Sequence, residues 1–380
     1  MVDLVNMKIK KKLENINEVT KLLANNFPGK YDILKSKFKN LLENIPYGKF
    51  ITYSVNKKVI GFLLVLKRSI FIGGKVFSVC GMSFMAVDSR HKSLDASTYL
   101  KKKLLHISQS HDLTIGFARK VMDGYWSNYG FIGVSSFSQT LLNLKDMKVK
   151  KKDSDISFKN ISTNDINIIN KIYNESYKDI TGAFKRDSQL WNYYIIQNNE
   201  NLRFIKIIKN NKIIGYFFYN KDKVNEVAAK NNNLPLVCDS IIQFFINEKI
   251  TKISFNLSFN HPLIKLLNKY SHERFLKYIY EGGHLVRIND IKKFLIKYLP
   301  LLERQLNILN IKFYDEEFDG IIFSFKNKKL KISYTNNFID NSESKRNLAS
   351  YVFSLPNINF NKPLIMKDNK FINFSVADHF

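Results

Sequence analysis

Asn56-Lys-Lys-Val-Ile-Gly61-Phe-Leu-Leu-Val65 and Asn210-Asn-Lys-Ile-Ile-Gly215-Tyr-Phe-Phe-Tyr219 are two copies of one pattern, and internal repetition of this kind sets the organisation of a chain before any local detail does. An alternating strand precedes each copy, Phe50-Ile-Thr-Tyr-Ser-Val55 in the first and Phe204-Ile-Lys-Ile-Ile208 in the second. A short Asn/Lys turn joins that strand to a run that is apolar on both faces. Each copy therefore reads as a hairpin whose second strand is covered on both sides. Helical spacing lies upstream of both. Ile16, Val19, Leu22 and Leu23 are followed by a second helix over 31–42; Ile166, Ile169 and Ile172, after the start signal of Thr163 and Asp165, are followed by Leu190, Trp191 and Tyr194. Each unit reads strand, helix, helix, hairpin.

Downstream, the first unit continues with a strand over 76–87, a helix over 95–108, a strand over 113–118, a short helix and a final strand from Phe131 onward. The second continues with a helix over 237–247, a strand over 252–257, a helix over 261–270 and strands near 275–280 and 284–288. The rest differs: a helix over 291–309 that contains Pro300, a hairpin of 321–325 with 330–334 turned by Asn327 and Lys328, a helix over 342–353 and a strand-rich tail. The expected class is α/β (α+β), with two mixed-sheet domains, 1–150 and 151–290, and a small α+β domain, 291–380.

At 380 residues the chain suits two or three domains, and 45% hydrophobic residues are enough for several cores. The formal charge of +27 suggests a polyanion partner, but the basic residues are spread along the whole chain. Lys, Asn, Ile and Phe are all abundant, as a compositional bias would produce, and the densest basic run, 148–152, falls in a linker. A solvated surface is the reading, with no nucleic-acid partner. Two cysteines, Cys80 and Cys238, exclude a disulfide scaffold and a cysteine zinc cluster. Both lie in apolar runs and read as core. The seven histidines show no HxH or HExxH spacing, so no metal is expected. The longest apolar run, 59–66, is strand-sized, and the opening residues lack the pattern of a signal peptide. A soluble cytoplasmic protein with no membrane partner is expected.

One segment could carry chemistry. Ser83-Phe-Met85-Ala86-Val87-Asp-Ser-Arg90-His91-Lys92-Ser93-Leu94-Asp95 joins a strand to an amphipathic helix. A strand-turn-helix aims backbone N–H groups and the positive end of a helix dipole outward, which suits a pyrophosphate, and Arg90 and Lys92 add full charges. The same residues also read as a capped helix behind a solvated basic turn, with Asp95 as the cap.

The order of elements, this turn, and Tyr125-Trp126-Ser-Asn-Tyr129-Gly130-Phe131 together resemble the Gcn5-related N-acetyltransferase (GNAT) superfamily. The turn falls where that family carries Arg/Gln-x-x-Gly-x-Gly/Ala, the loop around the acetyl-CoA pyrophosphate. The stretch ending in Tyr129-Gly130-Phe131 is similar to its Tyr-x-x-x-Gly-Phe motif. Two such units before a small sterol-carrier-like domain, His284-Leu-Val-Arg287-Ile-Asn-Asp290 closing the second unit, and the aromatic ending Asp378-His-Phe380 resemble the Eis (enhanced intracellular survival) type of tandem acetyltransferase. The resemblance implies acetyl-CoA as co-substrate, bound through Met85, Ala86, Val87, Arg90, His91, Lys92, Ser93, Leu94 and Asp95. It also implies an amine acceptor on a small molecule or peptide, a possible homo-oligomer, and the C-terminal carboxylate of Phe380 as base. Ser93 and Asp95 depart from the family's glycines, and Trp126 stands where its catalytic tyrosine does. An indole donates only through N–H and cannot transfer a proton; Tyr125 and Tyr129 flank it, and Tyr125 is taken as the catalytic candidate with Trp126. The second unit has no such turn: Asn225-Glu-Val-Ala-Ala-Lys-Asn-Asn-Asn-Leu-Pro235 stands in its place. Two other readings are a scaffold that binds without turnover, motivated by Ser93, Asp95 and Trp126, and a tandem-GNAT ligase that uses aminoacyl-tRNA.

Overall fold

A computed structural model of the chain describes residues 5–10, 13–27, 29–91, 95–118, 123–133, 136–145, 147, 155–196, 202–257, 261–278, 283–308, 310 and 312–353. The first part runs β1 (Val5–Lys10), α1 (Ile16–Asn26), α2 (Tyr31–Asn44), β2 (Gly48–Val55), β3 (Lys58–Ile72), β4 (Lys75–Val87), α3 (Ala96–Ser108), β5 (Leu113–Ala118), α4 (Asp123–Ser127), β6 (Ile132–Gly133) and β7 (Ser136–Asn143). Then come β8 (Ile156–Asn160), α5 (Ile166–Tyr177), α6 (Ser188–Ile196), β9 (Arg203–Lys209), β10 (Lys212–Asn220), β11 (Lys223–Ala229), α7 (Leu234–Asn247), β12 (Lys252–Leu257), α8 (Pro262–Leu267), β13 (His272–Tyr278) and β14 (Gly283–Ile288). The last part is α9 (Ile291–Ile308), β15 (Phe313–Phe318), β16 (Ile321–Lys326), β17 (Lys329–Tyr334) and α10 (Ser342–Phe353).

The repeated glycines have the same task twice. A Cβ on Gly61 would lie 3.3 Å from Leu100 and 3.5 Å from Ala96, and one on Gly215 would lie 2.6 Å from Val237 and 2.7 Å from the Ala228 carbonyl oxygen. Each glycine lets the later helix, α3 or α7, lie directly on the hairpin strand. The hairpins share their irregularities as well. Each turn holds two residues at positive φ, Asn56 and Lys57 or Asn210 and Asn211, which gives the twist that a two-residue hairpin turn needs. Each ladder then slips by one residue just before the glycine, between Tyr53 and Ser54 of β2 and between Ile213 and Gly215 of β10.

Two seven-stranded mixed sheets result, in the orders β1-β2-β3-β4-β5-β14-β6 and β13-β7-β12-β11-β10-β9-β8. They exchange strands. The sequence reading completes the first unit with the strand after Phe131, but β7 pairs with β12 and β13 of the second sheet. In return β14 lies between β5 and β6 of the first. The helices α1 and α2 share one buried cluster with α5 and α6, in which Leu22, Phe38, Phe62 and Leu64 join Tyr173, Trp191, Tyr216 and Phe218. The helix α9 carries Phe294, Leu295 and Leu302 into a cluster with Phe77 and Ile115 of the first sheet and Phe323 of the third, β15-β16-β17.

Two strands depart from the sequence reading. The segment from Asn225, read as the place of a missing turn, opens inside β11, which is buried from Val224 to Ala229. Its polar residues are inside because Glu226 accepts two hydrogen bonds from Arg186, at 2.8 and 2.7 Å, and one from the Tyr216 hydroxyl at 2.9 Å. The Arg186 guanidinium also lies 4.3 Å above the Tyr173 ring and 4.8 Å from that of Trp191. The segment 313–318, to which the sequence reading assigns no element, is the strand β15, and Asp315 accepts from the Ser324 hydroxyl across the ladder.

Both side chains of the Arg186–Glu226 pair are wholly buried, so removing one charge strands the other. Glu226→Gln is expected to lower stability by about 3–5 kcal/mol in urea unfolding; a loss below about 1 kcal/mol would mean the guanidinium finds other acceptors. A second pair ties α9 to the first sheet. Asp112 accepts from the Ser78 N–H and hydroxyl and pairs with Lys297 at 2.7 Å. Burial works to raise its carboxyl, but the Lys297 ammonium and the Ser78 donors outweigh burial and hold it below its ordinary value. The stability this contributes is complete above the unfolded carboxyl value of about 3.9 and is lost as pH falls through the lower folded value. Wild-type stability should therefore fall as the pH is lowered below about 4, and Asp112→Asn should flatten that slope.

Candidate active site

The first sheet opens at one place. The strands β4 and β5 run parallel and pair from Val79 with Leu113 to Met82 with Gly116. Past that point β4 continues to Val87 and β5 to Ala118, and among the described residues no strand pairs with that side of β4. In the same stretch β4 bulges against β3. Ser83 faces Leu64 and Ala86 faces Phe62, so Phe84 and Met85 together oppose Leu63. Phe84 takes a positive φ of 51° to make the bulge. Its ring packs edge-on against Phe27 and Phe38 of the α1/α2 layer. A bulge re-aims backbone and terminates pairing, and sites favour it for that reason.

Met85, Ala86 and Val87, expected to supply an N–H donor, are the strand end at this opening. Met85 and Val87 border the cluster under α3, and Ala86 faces α1 and α2. Arg90 and His91 lie in a single 3₁₀ turn, Ser89–His91. Arg90 is turned back. Its guanidinium donates to both Asp88 oxygens, at 3.0 and 2.7 Å, and its backbone N–H donates to the same carboxylate. The Arg90 side chain is nevertheless 70% exposed, and its hydrogen bonds hold the Asp88 carboxyl down at about 2. Lys92, Ser93 and Leu94 lie outside the described residues, as does Phe380. Asp95 takes the N-cap position of α3 but makes no side-chain capping bond, against the expectation that its carboxylate closes the helix. Its φ of 5° is not the extended backbone from which a capping side chain reaches back. Among the described residues no side chain caps the first amides of this 13-residue helix. On the α1 face of the sheet, a cavity of about 780 Å³ is lined by Lys21, Asn25, Lys58, Asp88 and Arg90 among others.

The aromatic run on α4 divides into two roles. Trp126 is 5% exposed and packs in the core with Leu100, Met82 and Phe131. Tyr125 and Tyr129 are half-buried at the border of the same cluster, to which Met85 and Ala118 also pack. Between them stands a residue that the sequence reading does not single out. Lys101 is 6% exposed. Its ammonium donates to the Tyr129 hydroxyl at 2.9 Å and sits 4.5 and 4.9 Å from the centres of the Tyr125 and Tyr129 rings. The available signal is slight: Lys101 adjoins the Ala96, Leu100, Leu104 and Ser108 stripe of α3, where a lysine ordinarily lays its stem on the core and its charge in water.

The second sheet parts at the matching place, after Lys223 with Ser254 and Val224 with Phe255, but this opening is closed. The Asn256 amide donates to Asn225, the Tyr177 hydroxyl donates to the Val227 carbonyl, and His261 lies 3.0 Å from the same carbonyl. Both cysteines are buried, and burial pushes each thiol up to about 12. Among the described residues no cluster of His, Cys, Asp or Glu is arranged to hold a metal, and no helix is long and apolar enough to cross a membrane.

Compared with solved structures, the chain has the fold of the GCN5-related N-acetyltransferases, twice over. It is similar to one of these from Anabaena variabilis, with a TM-score of 0.66 and 14% identity over 97% of both chains. It is similar to another from Kribbella flavida, at 0.60 and 11% over 87% of this chain and 84% of that one. Eis1 from Mycobacterium abscessus matches at 0.56 and 13%, over 87% and 85%. At such identities the likeness is one of fold. No family model and no curated protein matches the sequence.

The Asp88 carboxylate holds the charge that the turn would offer to a phosphate. Asp88→Asn should release Arg90 and tighten inorganic pyrophosphate binding, read by titration calorimetry, by up to about fivefold, the worth of one exposed pair. Weaker binding would mean that Asp88 matters more for ordering the turn than for occupying its arginine.

Proposed function

We propose that the chain is an acyl-CoA-dependent N-acyltransferase that moves an acetyl group to an amine of a small molecule or peptide. The observation that carries this reading is the parting of β4 from β5 beside the bulge at Phe84 and Met85, next to the N-terminus of α3. Acetyl-CoA, when bound, supplies an activated thioester carbonyl. The backbone N–H groups of Met85 to Val87 would hold the oxygen that becomes negative as the amine nitrogen adds to it, the kind of donor that lowers such a barrier most. The α3 amides, with Arg90, His91, Lys92, Ser93, Leu94 and Asp95, would hold the diphosphate, and Arg90 must leave Asp88 to take part. A tyrosine of α4 or of the turn after it, Tyr125 or Tyr129, would return a proton to the departing sulfur, while Trp126 packs beneath them. The Phe380 carboxylate, brought by the sterol-carrier-like third domain, would take the proton that the amine must lose, since an alkylammonium with a pKa of about 10.4 is not a nucleophile at pH 7.

Titration calorimetry with acetyl-CoA and a thiol-release assay over a panel of primary amines test this. Binding with turnover is expected. A chain with no affinity for acetyl-CoA would sink the proposal. A second reading, binding without turnover, is favoured by the Arg90–Asp88 pair and the buried Trp126; affinity for acetyl-CoA with no thiol released from any amine would establish it instead.

A further inference from the structure

A lysine is seldom buried without an anion beside it, because taking the ammonium out of water is costly. Lys101 is such a lysine. Among the described residues it forms no ion pair with a carboxylate, and its hydrogen bonds go to phenols. Burial acts against its charge, yet the bonds with Tyr125 and Tyr129 outweigh burial, so the ammonium is held above its ordinary value. A fixed cation is thus stored between two aromatic rings that pack on the same core cluster as Met85 and Ala118, the strand ends past the parting. Tyr129 is the better anchored of its two partners. The Arg287 guanidinium of the exchanged strand β14 donates to the Tyr129 carbonyl at 2.8 Å, and the Tyr129 N–H donates to the Trp126 carbonyl at 2.9 Å.

We infer that Tyr129 is the proton donor to the leaving sulfur and that Lys101 is its positioning residue, holding the hydroxyl and balancing the negative charge that the transfer leaves behind. The inference rests on the acyltransferase reading above. In the step, the amine nitrogen bonds to the thioester carbonyl carbon and the carbon–sulfur bond breaks with its electron pair on sulfur. The Tyr129 hydroxyl proton moves to that sulfur, and the phenolate left behind faces the Lys101 ammonium. The amine's surplus proton passes to solvent, from which Tyr129 is reprotonated. Amine and thioester become amide and thiol, with nothing oxidised or reduced. The cation does most where charge appears, since a preorganised group in a water-poor site acts without reorganising. This explains how a tyrosine off the usual position could serve while Trp126 occupies that position.

The full chain is mixed with CoA itself, and the ultraviolet absorbance of the thiolate is followed against pH. A bound thiol that faces the Tyr129–Lys101 pair should ionise about tenfold more readily in the wild type than in Lys101→Met or Tyr129→Phe, with Lys101→Arg close to wild type. Thermal unfolding of each variant separates a lost fold from a lost charge, and Tyr129→Phe, which removes one hydroxyl, tests the pair even where Lys101→Met does not fold. With acetyl-CoA and a reactive primary amine, the Lys101→Met defect should lie in kcat and shrink when the leaving group is an aryl thiol, which needs no proton. CoA that binds with the same thiol titration in all variants overturns the role of Lys101 and Tyr129 and leaves the acyltransferase reading standing. CoA that does not bind at all overturns both.

Discussion

The parting of two parallel strands beyond Met82 and Gly116 is the constraint around which the first half of the molecule is arranged. A sheet interior ordinarily satisfies every backbone group through its neighbours. Here, among the described residues, one side of β4 is left without a partner strand for five residues, Ser83 to Val87, and the bulge at Phe84 and Met85 disturbs the other side as well. The sheet can hold this opening because its surroundings are stiff. Phe84 is wedged among Phe27 and Phe38 on one face, and Leu100, Leu104 and Trp126 close the other. The second sheet shows the alternative. Its opening has the same origin, yet Asn225, Tyr177 and His261 fill it with hydrogen bonds. One copy of the fold spends its backbone groups on itself, and in the other no described strand takes them up on that side.

Charge is handled in three distinct ways along the chain. Arg186 and Glu226 are fully enclosed and satisfied by each other and by Tyr216, which fixes how α5 and α6 sit on the second sheet. Lys297 and Asp112 join α9 to the first sheet at its edge. Arg90 reaches from the surface to a buried Asp88, so that water competes for the arginine and its release is easy. A pair that must open to admit a ligand belongs in the third setting and would be immovable in the first. Lys101 fits none of the three, since its neighbours are phenols.

Much of the fold is legible in local pattern. The two hairpins, the helices α3 and α7 and the third hairpin with its Asn327-Lys328 turn follow from spacing and turn chemistry, and the two positive φ values at that turn agree. Pairing partners are another matter. Nothing in Ser136–Asn143 tells it apart from a strand of the first sheet, because the register it adopts is decided by strands more than a hundred residues later. The strand β11 escapes notice because Asn225 and Glu226 break its apolar run, and only the distant Arg186 makes that tolerable. At the site, the strand end at Met85, Ala86 and Val87 and the aromatic run on α4 are readable. The bulge, the inward turn of Lys101 and the folding of Arg90 onto Asp88 are not, since each depends on side chains meeting across elements.

The exchange of β7 and β14 has a bearing on how the protein is made. While the chain emerges from a ribosome, β5 is complete long before the strand that will cover its edge. Some 164 further residues must be polymerised before β14 appears, which at about 5–20 residues per second is roughly 8–33 s. During that interval the nascent first sheet keeps a bare edge along Leu113–Ala118, the kind of surface that recruits foreign strands. The two halves of this protein therefore mature as a single cooperative event, late in synthesis, and a truncated translation product would be left with an open sheet and a strong tendency to associate.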